Sequence, residues 1–314
     1  MRPEDYTDHK PRPMNLLHIR RPDASSAARH ESLEAALAET FGRELEAARG
    51  AGELAFYARL LAQVNLPHSR VTVNEYERSN GDLTLTLLAP SKIGLPYGTI
   101  PRLTLFWVCT EAFRTRSRDL VLGDCLADFM AQLDVEQTGG RKGTIRPWRR
   151  QLTSLFATAF TLHYAGDGFT QLAGVHVADE ALILWDPTSP NQRQLWQSTV
   201  CLSERFYQAV VDRPFPVSMA ALRWLRKSPL ALDLYTWLTY RLSYLDRRTP
   251  IPLAALAVQF GSNYAELKHF RWKLEKALAK LQAIWPELRV ELDSAALILQ
   301  PSRPHVPPRG DRIP

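Results

Sequence analysis

The chain has 314 residues, of which 45% are hydrophobic and 10% aromatic, enough to bury more than one core. No apolar run approaches the roughly 18 residues of a membrane helix, and the first thirty positions are polar and proline-punctuated rather than signal-like, so a cytoplasmic protein away from membranes is expected. A formal net charge of +6 fits a polyanionic partner, while three widely spaced cysteines, Cys109, Cys125 and Cys201, predict buried thiols rather than a disulfide framework or a zinc site.

Met1 to about Pro22 alternates prolines with charges, and burial there cannot offset the entropy of ordering, so a disordered tail over 1–23 is expected. From Ser25 the composition turns to Ala, Leu, Glu and Arg, and Leu33, Leu37, Phe41 and Leu45 recur four apart, marking an amphipathic helix that Gly50 and Gly52 end. A second helix is predicted from Glu53 to Val64. A hairpin follows, in which Val71, Val73, Leu83, Leu85 and Leu87 alternate with polar residues around Asn80-Gly81. Residues 24–90 are therefore expected to cap the first of two larger units.

Past Pro90 the chain makes two passes through one pattern. In the first, helices are predicted from Pro101 to about Arg116 and from Gly123 to Leu133. A turn with Gly139, Gly140 and Gly143 leads to a basic helix from Thr144 to about Leu162, and a strand holds Ala181-Leu182-Ile183-Leu184. In the second, helices are predicted from Ser228 to about Leu245 and from Pro252 to Phe260. A turn at Gly261-Ser262-Asn263 leads to a basic helix from Tyr264 to Trp285, and a strand holds Ala296-Leu297-Ile298-Leu299. Helix, short helix, turn, longer basic helix and hairpin is the order of a winged helix-turn-helix, whose second paired helix enters the major groove. The expected fold is α+β, mainly helical, with two tandem winged helix-turn-helix domains over 91–215 and 216–302 and an N-terminal helix-plus-hairpin extension. A flexible tail is expected over 303–314. The competing reading is one large helical domain with two unrelated strands.

In the last predicted helix Leu267, Phe270, Leu274, Leu278 and Leu281 form a core-facing stripe. The opposite side carries Lys268, His269, Trp272, Lys273 and Lys276, with Arg271 at the flank near Tyr264. Lysines there can sit against phosphates, and side chains in the first two turns can reach base edges, as Asn does with adenine and Arg with guanine. Ser262, Asn263, Lys268, His269 and Arg271 are the candidate base contacts, and Arg223, Arg226, Lys227, Arg241, Arg247 and Arg248 are supporting cations. Between Arg223 and Arg289 twelve Lys or Arg stand against five acids, so this part carries the charge surplus. In the first pass Arg141, Lys142, Arg146, Arg149 and Arg150 cluster at the start of the basic helix, where Pro147 restricts the helix start.

Catalysis is not expected. A DNA-nicking enzyme needs two histidines flanking one hydrophobic residue, and Val175-His176-Val177 supplies one. Gly139-Gly140-Arg141-Lys142-Gly143 lacks phosphate-loop spacing, and His163 with His176 has no further obvious ligand, so neither metal nor cofactor is expected. Trp107, Trp148, Trp224, Trp237 and Trp285 fall at helical apolar positions and are predicted to be core.

The stretch from Leu95 to Phe156 resembles the plasmid RepA-type replication initiator family. The resemblance is carried by Leu95-Pro96-Tyr97-Gly98, Pro101-Arg102-Leu103, Thr110-Glu111-Ala112, Arg114-Thr115, Ser117-Arg118, Leu122-Gly123, Phe129-Met130, Thr138-Gly139-Gly140 and Gly143-Thr144-Ile145. It implies an initiator that binds double-stranded DNA at repeated sites in a plasmid origin, opens an adjacent segment and recruits the host initiator and replicative helicase. It also implies a homodimer formed through the first winged helix, linked to copy-number control. The chain departs from the family pattern at Cys125, where a small hydroxylated residue is expected, and at Pro147, which interrupts the basic run. The alternatives are a transcriptional repressor acting at a promoter palindrome and a protein-interaction scaffold.

Overall fold

A computed structural model describes residues 54–63, 65–123, 125–133, 135, 145–166, 169–184, 197–212, 214–260 and 266–306. The tail and helix expected before Glu53, the glycine turn at 139–143 and the turn at 261–263 lie outside them.

Strand β1 (Leu54–Ala58) runs into a 3-10 turn, and β2 (Glu75–Asn80) and β3 (Leu83–Leu88) make a hairpin. Its two-residue turn begins with Gly81 at φ 59°, a left-handed conformation that glycine adopts without a Cβ clash. Helix α1 (Thr99–Thr115) ends where Arg116 turns left-handed and its N–H bonds the Ala112 carbonyl. Then come β4 (Asp119–Gly123), α2 (Leu126–Gln132), α3 (Ile145–Ala157), β5 (Ala159–Gly166), β6 (Phe169–His176), β7 (Ala178–Leu182) and β8 (Ser198–Leu202). The chain continues through α4 (Glu204–Val211), β9 (Pro214–Ser218), α5 (Met219–Leu225) and α6 (Pro229–Leu242). Ser218 and Ser228 cap α5 and α6, each hydroxyl accepting an N–H from the first turn. The last elements are β10 (Thr249–Pro252), α7 (Leu253–Gln259), α8 (Leu267–Gln282), β11 (Val290–Leu292) and β12 (Ala296–Leu299).

The strands form four antiparallel sheets, in the orders β1-β9, β2-β3-β5-β6, β4-β8-β7 and β10-β12-β11. The expectation of a mainly helical, tandem winged-helix chain is therefore corrected. The fold is mixed, with 41% of the described residues helical and 29% in strands, and the N-terminal hairpin is no extension, because β3 pairs with β5 and β1 pairs with β9. The helix predicted to run to Leu162 stops at Ala157. Beyond it Phe160 and Leu162 are buried while Thr161 is exposed, a period of two that belongs to a strand. Residues 54–58 are likewise strand rather than helix, held when Thr110 Oγ1 on α1 accepts the Phe56 N–H at 2.9 Å. What does repeat is the order helix, strand, helix, helix: α1-β4-α2-α3 and α6-β10-α7-α8. Each run is followed by strands that complete a three-stranded sheet, with the hairpin β5-β6 added in the first.

The two halves share one core, and a buried charge cluster ties them. Arg102 on α1 is 2% exposed, and all five of its N–H donors are used. Nε and Nη2 meet Asp233 of α6 at 2.7 and 2.6 Å, and the remaining donors reach the carbonyls of Leu66, Pro67 and Gly98. His68 Nε2 reaches the same carboxylate at 2.8 Å. Burial alone would raise the Asp233 pKa, but the Arg102 charge and the bonds from His68 and Arg102 outweigh it and hold the carboxyl below its ordinary value.

The C-terminal segment is pinned as well. Trp285 Nε1 donates to the Arg303 carbonyl at 3.0 Å, and His305 lies 2.8 Å from the Tyr235 hydroxyl and 2.9 Å from the Ile284 carbonyl. Among the described residues no helix is long and apolar enough to cross a membrane.

Candidate nucleic-acid interface

Helix α8 places Phe270, Leu274, Ala277, Leu278 and Leu281 in the core. That fixes its opposite face, where Lys268, His269, Trp272, Lys273 and Lys276 are exposed. Leu267 departs from the expected stripe: it is 46% exposed, because the helix begins beyond the edge of the core that Phe270 enters. Lys268 is 2.5 Å from the Glu266 carboxylate, an exposed pair of small energetic weight.

Arg271 lies at the flank and is braced. Its Nε donates to the Asp293 carbonyl at 3.0 Å, in the turn joining β11 to β12, and its guanidinium is 3.9 Å from Glu275. Asp293 in turn accepts the N–H groups of Ala295 and Ala296 at 2.7 and 2.6 Å. Those two bonds, aided by the charges of Arg248 and Arg271, hold its carboxyl below the usual carboxylate range. The structure thus brings together the flank of α8, the β11-β12 turn and Arg248, the residue before β10. Arg247 is exposed beside Arg248, and Arg241 stacks over Tyr244 at 5.0 Å from its ring centroid.

The other sequence-predicted positions sit on different elements. Arg223 and Lys227 are exposed at the end of α5, and Arg226 is half-buried with Nη1 on the Arg223 carbonyl at 2.9 Å. Trp224, expected in the core, is 62% exposed between them; α5 has only seven residues, and its inner side is taken by Ala221, Leu222 and Leu225. Arg146 and Arg149 are exposed on α3, where Pro147 occupies the first turn and needs no intrahelical N–H bond. Arg150 is exposed too, with its Nη2 2.5 Å from the Tyr97 hydroxyl. Arg141, Lys142, Ser262, Asn263 and Tyr264 lie outside the described residues. Sequence reasoning gave no role to the Arg102, Asp233 and His68 cluster, although a lone acid inside the apolar run Leu230-Ala-Leu-Asp-Leu-Tyr was a legible signal.

Nothing else among the described residues forms a chemical site of comparable definition. Cys109 and Cys125 are buried thiols, and burial raises the Cys109 pKa to about 12, so it is not a nucleophile at neutral pH. No group of three or more His, Cys, Asp or Glu there could hold a metal ion. An apolar cavity lined by Leu61, Leu85, Phe160, Leu162 and Phe206 has a volume of about 10 Å3, too small for a ligand.

Comparison with known proteins adds an independent line. The family model for plasmid-encoded RepA protein matches residues 95–251, half of the chain. The matched residues run from the segment before α1 to β10 and stop short of α7 and α8. A crystal structure of domains 2 and 3 of RctB, in selenomethionine form, is similar with a TM-score of 0.50 and 12% sequence identity, covering 78% of this chain and 96% of that one. A second structure of RctB domains 2–3 has a TM-score of 0.48 and 12% identity, over 76% and 94% of the two chains. At that identity the likeness is one of fold. No curated protein matches the sequence.

Proposed function

The chain belongs to the family of plasmid-encoded RepA proteins, and from that premise we propose that it is a replication initiator acting on double-stranded DNA at repeated sites in a plasmid origin. The observation that carries the reading is the exposed face of α8, with Lys268, His269, Trp272, Lys273 and Lys276 together on a helix whose other side is fixed in the core. Three lysines on one face of a helix narrow enough for the major groove supply sequence-independent attraction to phosphates. Arg271 bound to the β11-β12 turn gives that helix a braced flank.

Residues 216–302 are assigned to sequence reading, with Ser262, Asn263 and Tyr264 preceding α8, and Arg241, Arg247 and Arg248 nearby as cations. Arg223, Arg226 and Lys227, and on α3 Arg146, Arg149 and Arg150 with Arg141 and Lys142 before them, are assigned to flanking DNA. Residues 91–215 are assigned to dimerisation. Local opening of the duplex, recruitment of the host initiator and replicative helicase, copy-number control and a cytoplasmic location follow from the family reading, and no catalytic step is assigned.

Footprinting the full-length protein on DNA flanking its own gene tests this. Protection of a series of direct repeats, spaced near one helical turn or a multiple of it, is expected. Protection of a single inverted repeat over the promoter would make it a transcriptional repressor instead.

A further inference from the structure

Helix α8 turns Phe270, Leu274 and Leu278 into the core, and at about 100° per residue Trp272 points almost directly away from them. Its side chain is 47% exposed, a large apolar surface standing in the middle of a cationic face. The Lys276 ammonium lies 3.8 Å from the ring centroid and that of Lys273 lies 5.0 Å from it. These cation–π contacts hold the indole against the helix, so the plate is positioned rather than swinging free. A duplex that received α8 in its major groove would meet the indole near the centre of the contact, with lysine ammoniums beside it toward the phosphates.

The one apolar group that base pairs display in that groove is the thymine C5-methyl. An indole has a single N–H donor and no acceptor, so it cannot form the bidentate pairs that identify guanine or adenine. We infer that Trp272 is a specificity-determining residue, reading thymine by contact between the indole and the C5-methyl group. The inference rests on the assignment of α8 as the DNA-reading helix and names the base that its central side chain selects.

The test uses the full-length protein and a duplex that it selects from a random pool, with deoxyuridine replacing each thymine in turn. Only the methyl is removed. At one or more positions the wild type should bind about fourfold more weakly, the worth of one buried methyl group. Trp272→Ala, whose side chain lies outside the core, should bind thymine and uridine duplexes equally with an unchanged melting temperature, and Trp272→Phe should keep part of the preference. Tolerance of uridine at every position would overturn the inference, as would the same penalty persisting in Trp272→Ala. Preferential binding of the separated strand would overturn it too, since the indole would then serve as a stacking platform for unpaired bases. Failure of the underlying assignment looks different: no duplex is selected, or alanine at Lys268 and Lys276 leaves affinity unchanged.

Discussion

Arg102 grips Asp233 across 131 positions of sequence with two parallel N–H donors, at 2.7 and 2.6 Å, where both side chains are shut off from water. The contact joins α1 of one half to α6 of the other, and His68 closes it from the loop before β2. Asp233→Asn leaves the guanidinium buried without a counter-charge, and the expected loss is about 3–5 kcal/mol, read from urea unfolding. Replacing both partners with apolar residues of similar volume should recover much of it. A single variant as stable as the wild type would mean that the pair is not what couples the halves.

The same cluster and the C-terminal segment give stability a direction with pH. The Ile284 carbonyl can only accept, so His305 donates to it from Nε2 and accepts the Tyr235 hydroxyl proton at Nδ1, while Tyr235 accepts the Ser218 N–H. That arrangement needs neutral His305. Burial lowers its pKa, against the smaller opposing effects of the Ile284 bond and the Glu287 charge; burial lowers that of His68 too, against its bond to the Asp233 carboxylate and that group's charge. For a folded-state pKa below the unfolded value of about 6.5, the stabilisation is complete above that pH and is lost as pH falls through the folded value. Stability should therefore fall below about pH 6.5, and His305→Asn should show a shallower fall than the wild type. Parallel pH profiles of the two would remove His305 from the account.

Much of this fold was legible because helices declare themselves by spacing. The apolar steps from Phe270 to Leu281, the serine that opens the helix at Ser228, and the turn at Asn80-Gly81 are local signals, and α1, α6, α8 and the β2-β3 hairpin lie close to where the sequence puts them. What failed is non-local. Strand β5 follows α3 after one residue, and Ala159-Phe160-Thr161-Leu162 becomes a strand only because β3 and β6 flank it. The pairing of β1 with β9 joins segments some 160 residues apart, which no window of sequence reports. In the candidate site the outward lysines followed from helix geometry alone, whereas the engagement of Arg271 with Asp293 depends on where a hairpin folds back.

That engagement separates two substitutions that look alike in sequence. Lys268→Ala, at an exposed side chain, should weaken binding on all DNA sequences and lower the salt slope by about 0.9 for the lost phosphate contact. Arg271→Ala should cost about 1–3 kcal/mol mainly on the selected site, and so should Asn263→Ala. It should also lower the melting temperature slightly, since the β11-β12 turn loses a bond. Fluorescence anisotropy on selected and random duplexes at several salt concentrations measures both. Equal losses on the two duplexes for Arg271→Ala would make it a phosphate contact or a brace rather than a base reader.

Helix α3 offers a parallel discrimination within three arginines. All three are exposed, but Arg150 alone among them also reaches the Tyr97 hydroxyl, and the Tyr97 N–H donates to Gln151 Oε1 at 2.7 Å. Arg150→Ala should act on folding by loosening the segment that leads into α1, with a cost of about 1 kcal/mol. Replacing Arg146 and Arg149 together should leave the melting temperature unchanged and, if the first half touches DNA, reduce the salt slope of duplex binding by one to two phosphate contacts, about 0.9 each. Were the slope to stay at its wild-type value, DNA contact would be confined to the C-terminal half. The first half would then act on the C-terminal half only by supporting its fold, through the Arg102–Asp233 junction.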